Sequence, residues 1–141
     1  MNLEAGLVGR DEPTLCAFYA DVLGFGLVDR HAFDVGAVCR LARGDARIKI
    51  FFPRATVDPI VPVEPWFRPG GWRYAALAVT PDEVDAIVAA AVAAQGRVLL
   101  APTNHRPGAR MAMVTDPEGN AWELLAETVT AEDLDREDGT E

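Results

Sequence analysis

Apolar and polar positions alternate along this chain with two periods, and the order of the periods is the same in both halves. Residues 3–9 form a short run of strand character. Asp11 can cap a helix that follows, with Pro13 tolerated in its first turn. Leu15, Phe18, Tyr19 and Val22 then fall at i, i+3, i+4 and i+7, one apolar stripe, and Gly24 ends the helix. Strands are predicted at 26–30, 35–42 and 46–52, with Arg43-Gly44-Asp45 as the hairpin turn between the last two. The second half repeats this order. Residues 73–79 predict a strand, and Thr80-Pro81-Asp82-Glu83 a capping box with proline at the first helical position. Val84, Ile87, Val88, Ala91 and Val92 make the stripe, Gly96 the stop, and 97–101, 110–115 and 121–126 the three strands that follow. Between the halves, the proline-rich stretch 53–71, with Trp66-Phe67-Arg68-Pro69-Gly70-Gly71 and then Trp72, reads as a linker.

Period-two alternation assigns a face to each strand residue. Ile48, Ile50 and Phe52 form an apolar face suited to a helix, opposite Arg47, Lys49 and Phe51. Trp122, Leu124 and Ala126 oppose Ala121, Glu123 and Leu125. Ala75, Leu77 and Val79 oppose Tyr74, Ala76 and Ala78, and Leu3, Ala5 and Leu7 oppose Glu4, Gly6 and Val8. Each of these strands thus has a helix-side face and a second face with a charged or hydroxyl group among small or apolar residues.

Composition narrows the class. At 141 residues and 50% apolar, the chain fits one domain with a real core. Met1-Asn-Leu-Glu-Ala has no basic region leading into an apolar one, so no secretory signal is expected. The longest apolar run, 84–94, is short and broken by Asp85, so no membrane span is expected and a cytoplasmic location is. Cys16 and Cys39 show no ligand spacing and read as buried thiols in a reducing compartment. The charge of −9 argues against nucleic acid, which needs clustered Lys and Arg. Much of the acidic excess lies in 130–141, which reads as a solvated, frayed terminus.

Two stretches, Phe18-Tyr-Ala-Asp-Val-Leu-Gly-Phe25 and Asp116-Pro-Glu-Gly-Asn-Ala-Trp-Glu-Leu-Leu125, together resemble the vicinal-oxygen-chelate superfamily, which includes glyoxalase I, bleomycin-resistance proteins and extradiol dioxygenases. The resemblance implies an α+β fold: two βαβββ modules forming a curved mixed sheet around one cavity, with helices on the outside. It implies a single domain over 1–128 (module one about 1–53, linker 54–71, module two about 72–128), leaving 129–141 as an acidic tail. It also implies a homodimer and a small-molecule ligand or substrate.

In metal-dependent members the ligands, His and Glu and occasionally Gln, come from the first and last strands of each module. Counting from the landmark motifs places those positions on Glu4, Lys49, Tyr74 and Glu123. Glu123 matches the pattern, and Glu4 stands where histidine is usual. Tyr74 is a poor ligand, with a phenol pKa near ~10, and a protonated Lys49 cannot ligate. Lys49 is the only lysine against twelve arginines, and it falls where a metal would bring positive charge. Its ammonium is expected between Glu4 and Glu123, because buried carboxylates need partners. No metal or other cofactor is therefore expected; if one binds, Glu4 and Glu123 are the ligands.

Trp66, Phe67 and Trp72 read either as an aromatic clamp for a planar ligand or as packing at the module junction. Phe51 shares the face of Lys49. Met111 and Met113 alternate on one strand face, as core or as cavity lining. His105, in the stretch 103–109, and His31 read as surface residues, with His105 able to lean over a cavity mouth. The resemblance leaves three functions open: a metal-independent binding protein like the bleomycin-resistance branch, with a resistance role; a metal-dependent lyase or isomerase of the glyoxalase type using Glu4 and Glu123; and a metal-free enzyme in which Lys49 and Tyr74 polarise a carbonyl while a glutamate moves the proton.

Overall fold

In the computed structural model, which describes residues 3–127, the elements run β1 (Glu4–Val8), α1 (Glu12–Asp21), β2 (Gly26–Phe33), β3 (Gly36–Arg43), β4 (Ala46–Pro53), β5 (Tyr74–Ala78), α2 (Pro81–Ala93), β6 (Val98–Arg106), β7 (Ala109–Thr115) and β8 (Ala121–Glu127). Strand, helix and three strands occur twice, giving an α+β fold of two βαβββ modules. The mixed sheet comes as two four-stranded ladders, ordered β1-β4-β3-β2 and β5-β8-β7-β6. In each, the first strand runs parallel to the last, a pairing that needs a long crossover, supplied here by the helix and two intervening strands. The predicted acidic tail lies outside the described residues. No helix among the described residues is long and apolar enough to cross a membrane.

Both helices start as their sequences dictate. The Asp11 side chain accepts the Thr14 amide, and at α2 the Thr80 hydroxyl and the Glu83 carboxylate satisfy each other's backbone amides. Gly24, at φ +74°, turns the chain after α1 so that the Phe25 amide reaches the Tyr19 carbonyl. Glu83 also accepts Arg43 Nη2 at 2.7 Å, while Arg43 Nη1 donates to the Leu23 carbonyl. One arginine at the β3–β4 turn thereby joins the end of α1 to the start of α2.

Ile48, Ile50 and Phe52 are buried, Lys49 is exposed, and the alternation on β1, β5 and β8 also follows the predicted faces. Burial of an aliphatic or aromatic side chain contributes about 1.5–3 kcal/mol. A one-residue slip of β4 would expose three such groups and bury an ammonium, so its register is strongly fixed. These side chains join Leu15 and Phe18 of α1, Val84 and Ile87 of α2, and Trp122 and Leu124 of β8 in one continuous core. The helix-side faces of both sheets feed that core. The second faces look away from it.

Several local expectations change, among them the strand expected at 26–30, which continues to Phe33, and Cys16, which is half-buried rather than buried. The strand expected at 97–101 continues to Arg106, so the stretch around His105 is strand up to a Pro107-Gly108 turn. β6 carries three register shifts against β7. Pro102 falls inside the shift between Leu100 and Thr103, the kind of irregularity that tolerates a residue with no amide to donate. Val92 is 55% exposed, because it lies roughly 80° around the helix from Val84, off the buried stripe. The left-handed residue after α2 is Gln95, at φ +71°, not Gly96. The Gly96 amide reaches the Ala91 carbonyl at 2.7 Å, and a Cβ there would sit 2.4 Å from the Thr115 carbonyl oxygen. Glycine is thus required at 96 for close approach. Gly96→Ala is expected to cost about 2–3 kcal/mol in a urea melt, and Gln95→Gly to gain up to about 1 kcal/mol.

Candidate functional site

The two motif stretches meet in space. Tyr19 Oη donates to Asp116 Oδ2 at 2.7 Å and accepts from Trp122 Nε1 at 3.0 Å. Asp116, buried in the turn between β7 and β8, also accepts the amides of Glu118 and Asn120 and the Asn120 side chain. Glu118 in turn accepts the amides of Arg10 and Asp11, just ahead of α1. This network sets module two against module one and so fixes where β8 and Glu123 stand relative to β1. Burial first, and the Asp116 carboxylate second, hold the Tyr19 phenol well above its ordinary 10.0. A raised folded pKa gives stability that is complete below the unfolded pKa and declines as pH rises above it. Stability is therefore expected to fall above about pH 10, and the decline to flatten in Tyr19→Phe, as read by alkaline denaturant melts.

On the outward face of the first sheet, Glu4 aligns with Arg47 and Gly6 with Lys49 across the β1–β4 pair. Glu4 and Lys49 are thus diagonal neighbours on one face. Lys49 is also opposite Arg40 of β3, which pairs with Asp29 of β2. The Arg40 guanidinium is held protonated first by those hydrogen bonds and, from further off, by the charge of Glu4. Phe51 is half-buried on this face, aligned with Val8 and Val38. The outward face of the second sheet repeats the pattern: Tyr74 aligns with Ala121 and Ala76 with Glu123, making Tyr74 and Glu123 diagonal neighbours. Met111 and Met113 align with Leu125 and Glu123; Met111 is half-buried and Met113 fully buried.

The four positions therefore stand as two pairs, Glu4 with Lys49 and Tyr74 with Glu123, on separate sheets. Within one chain no ion pair among the described residues joins them. Their donor set does not fit a divalent metal: each sheet offers one carboxylate, and the other positions hold an ammonium and a phenol. Among the described residues, no three His, Cys, Asp or Glu side chains cluster as a metal site. His105 lies apart, in a shallow groove with Asn104, Pro107 and Arg110. His31 sits 3.5 Å from Asp29. Cys39 is buried, and its Sγ donates to Glu12 Oε1 at 3.2 Å; burial, then Glu12, pushes its pKa to about 12, which suits an inert thiol.

What the sequence did not reveal is where a cavity lies: a cleft of about 1000 Å³ is lined by both β1 and β5, with Glu4 and Tyr74 among its residues. Ile60, Val61 and Trp66 of the proline-rich stretch wall it, with Trp72 just beyond that stretch. Trp66 meets Tyr74 and Phe67 edge to face, each at 5.6 Å. Of the residues singled out in the sequence, Glu4, Tyr74, Trp66 and Trp72 line it, while Lys49 and Glu123 do not.

The chain matches the Glyoxalase/Bleomycin resistance protein/Dioxygenase superfamily over residues 4–124 and belongs to it. No curated protein matches the chain. Solved structures share the fold at low identity. A glyoxalase family protein from Bacillus cereus has a TM-score of 0.74 at 15% identity, covering 92% of this chain and 94% of its own. A glyoxylase/bleomycin resistance protein/dioxygenase domain from Frankia sp. EAN1pec has 0.72 at 17%, covering 94% and 95%. TnmS3, an antibiotic binding protein from Streptomyces sp. CB03234, has 0.61 at 23%, covering 91% and 96%.

Proposed function

We propose that this protein binds a small apolar or aromatic molecule without a metal, using the cleft between β1 and β5, and that a resistance or metabolite-sequestering role follows from such binding. The cleft carries this reading. It has the size of a small-molecule site, and tryptophan and tyrosine wall it beside positions whose side chains are wrong for a metal. The fold shared with an antibiotic binding protein supports it. The test is elemental analysis after incubation with Ni, Zn, Mn and Fe salts, paired with a thermal-shift screen of aromatic compounds. Background metal and a ligand-dependent rise in Tm are expected. Stoichiometric metal that is lost in Glu123→Ala would overturn the reading in favour of a glyoxalase-type enzyme.

The protein acts as a homodimer in this reading. The outward faces carry Lys49 and Glu123, each without an ion pair among the described residues. Seating one subunit's first sheet on its partner's second sheet brings the two together and gives Glu4 and Glu123 a shared counter-charge. The Lys49 ammonium, without an ion pair among the described residues, also favours a second reading, a metal-free lyase or isomerase in which Lys49 and Tyr74 polarise a carbonyl. Lys49→Ala abolishing turnover with the fold intact supports that enzyme; unchanged ligand binding in the same variant, with no turnover in the parent, supports simple binding.

A further inference from the structure

The cleft holds a cation as well as aromatic rings. Arg73, half-buried immediately before β5, lines it beside Trp66, Trp72 and Tyr74. Its Nε donates to the Arg68 carbonyl at 3.1 Å and its Nη1 to the Trp72 carbonyl at 3.2 Å. Those bonds fix the guanidinium without neutralising it. Arg30, Arg40, Arg43, Arg97, Arg106 and Arg110 each pair with a carboxylate; Arg73 has no such partner among the described residues. Among the other charged residues on the cleft, one pair is already made. Glu64 pairs with Arg97, and Glu4, on the β1 side of the cleft, makes no ion pair among the described residues. Arg73 is thus the cleft's one cation without a carboxylate partner among the described residues.

The apolar wall is left over too. Trp72 is 94% exposed, Ile60 92%, Val61 85% and Leu3 82%, and all four line this cleft. Exposed apolar area of this extent marks a binding surface. An aromatic body placed there removes it from water, while a guanidinium held in advance loses little side-chain freedom on pairing.

We infer that the cleft takes a planar aromatic acid, its ring system against Trp66 and Trp72 and its carboxylate on Arg73. This rests on the cleft being the ligand site, as proposed above. The test is calorimetric titration of the full chain with naphthoate, the neutral naphthalenemethanol and the cation naphthylmethylammonium. Naphthoate is expected to bind roughly tenfold tighter than the alcohol, the value of one charge-assisted hydrogen bond. In Arg73→Gln the ratio of the two affinities should fall to near one. Loosening of the loop in that variant would weaken all three probes alike, so the ratio isolates the charge. Trp72→Ala, at an exposed position that cannot unfold the core, should weaken acid and alcohol together. An alcohol or ammonium probe that binds as tightly as naphthoate, or a ratio unchanged by Arg73→Gln, overturns the inference and leaves the small-molecule site standing. If none of the three binds, the cleft is not the ligand site and both readings fall.

Discussion

Asp116→Ala is expected to lower the free energy of unfolding by about 3–5 kcal/mol, as read from urea melts. The carboxylate accepts Tyr19 Oη and Asn120 Nδ2 at 2.7 Å each, the Glu118 amide at 2.9 Å and the Asn120 amide at 3.0 Å. Alanine removes every acceptor and leaves the donors in place. A buried donor without a partner costs about 1–3 kcal/mol, and the Tyr19 hydroxyl lies inside the core. Folded domains are stable by only about 5–15 kcal/mol, so the variant should melt far below the parent. Tyr19→Phe removes one hydroxyl and should lose less, about 1–3 kcal/mol. A loss below about 1 kcal/mol for Asp116→Ala would mean that backbone bonds alone hold the β7–β8 turn. The docking of α1 on module two would then need another cause.

Lys49→Glu is expected to weaken the proposed dimer by at least about a hundredfold, because like charges across an interface cost several kcal/mol. The substitution sets a third carboxylate beside Glu4 of the same chain and Glu123 of the partner subunit. In one chain Lys49 is exposed and unpaired among the described residues. The monomer's fold should therefore be unchanged by circular dichroism while sedimentation shows dissociation. Adding Glu123→Lys to the same chain exchanges the two charges and should restore association. A K49E protein that stays dimeric, or a double variant that remains monomeric, would sink this arrangement.

The elements were readable in the sequence because their signals are local. The Thr80–Glu83 capping box, the Gly24 stop and the alternation of Ile48, Ile50 and Phe52 each depend on residues a few positions apart. The failures share the opposite property. β6 runs on to Arg106 because its bulges are set by pairing with β7, and Gly96 is glycine because a carbonyl from Thr115 lies against it. The family motifs were legible as two strings. That they meet through the Tyr19–Asp116 hydrogen bond, 97 positions apart in sequence, was not.

The same division runs through the candidate site. Period two is a property of a strand alone, so the sequence by itself placed Glu4, Lys49, Tyr74 and Glu123 each on the face of its strand opposite the helix side. It also gave the reason to expect no metal there, since an ammonium and a phenol are poor ligands wherever they stand. Where those faces look was decided only by the tertiary structure. The helix sides of both sheets share one core, which turns the second faces outward and leaves the two pairs apart within a chain. The cleft, too, belongs to the tertiary structure, because it arises where β1, β5 and the segment carrying Ile60 and Trp66 come together, and no local spacing encodes such a meeting.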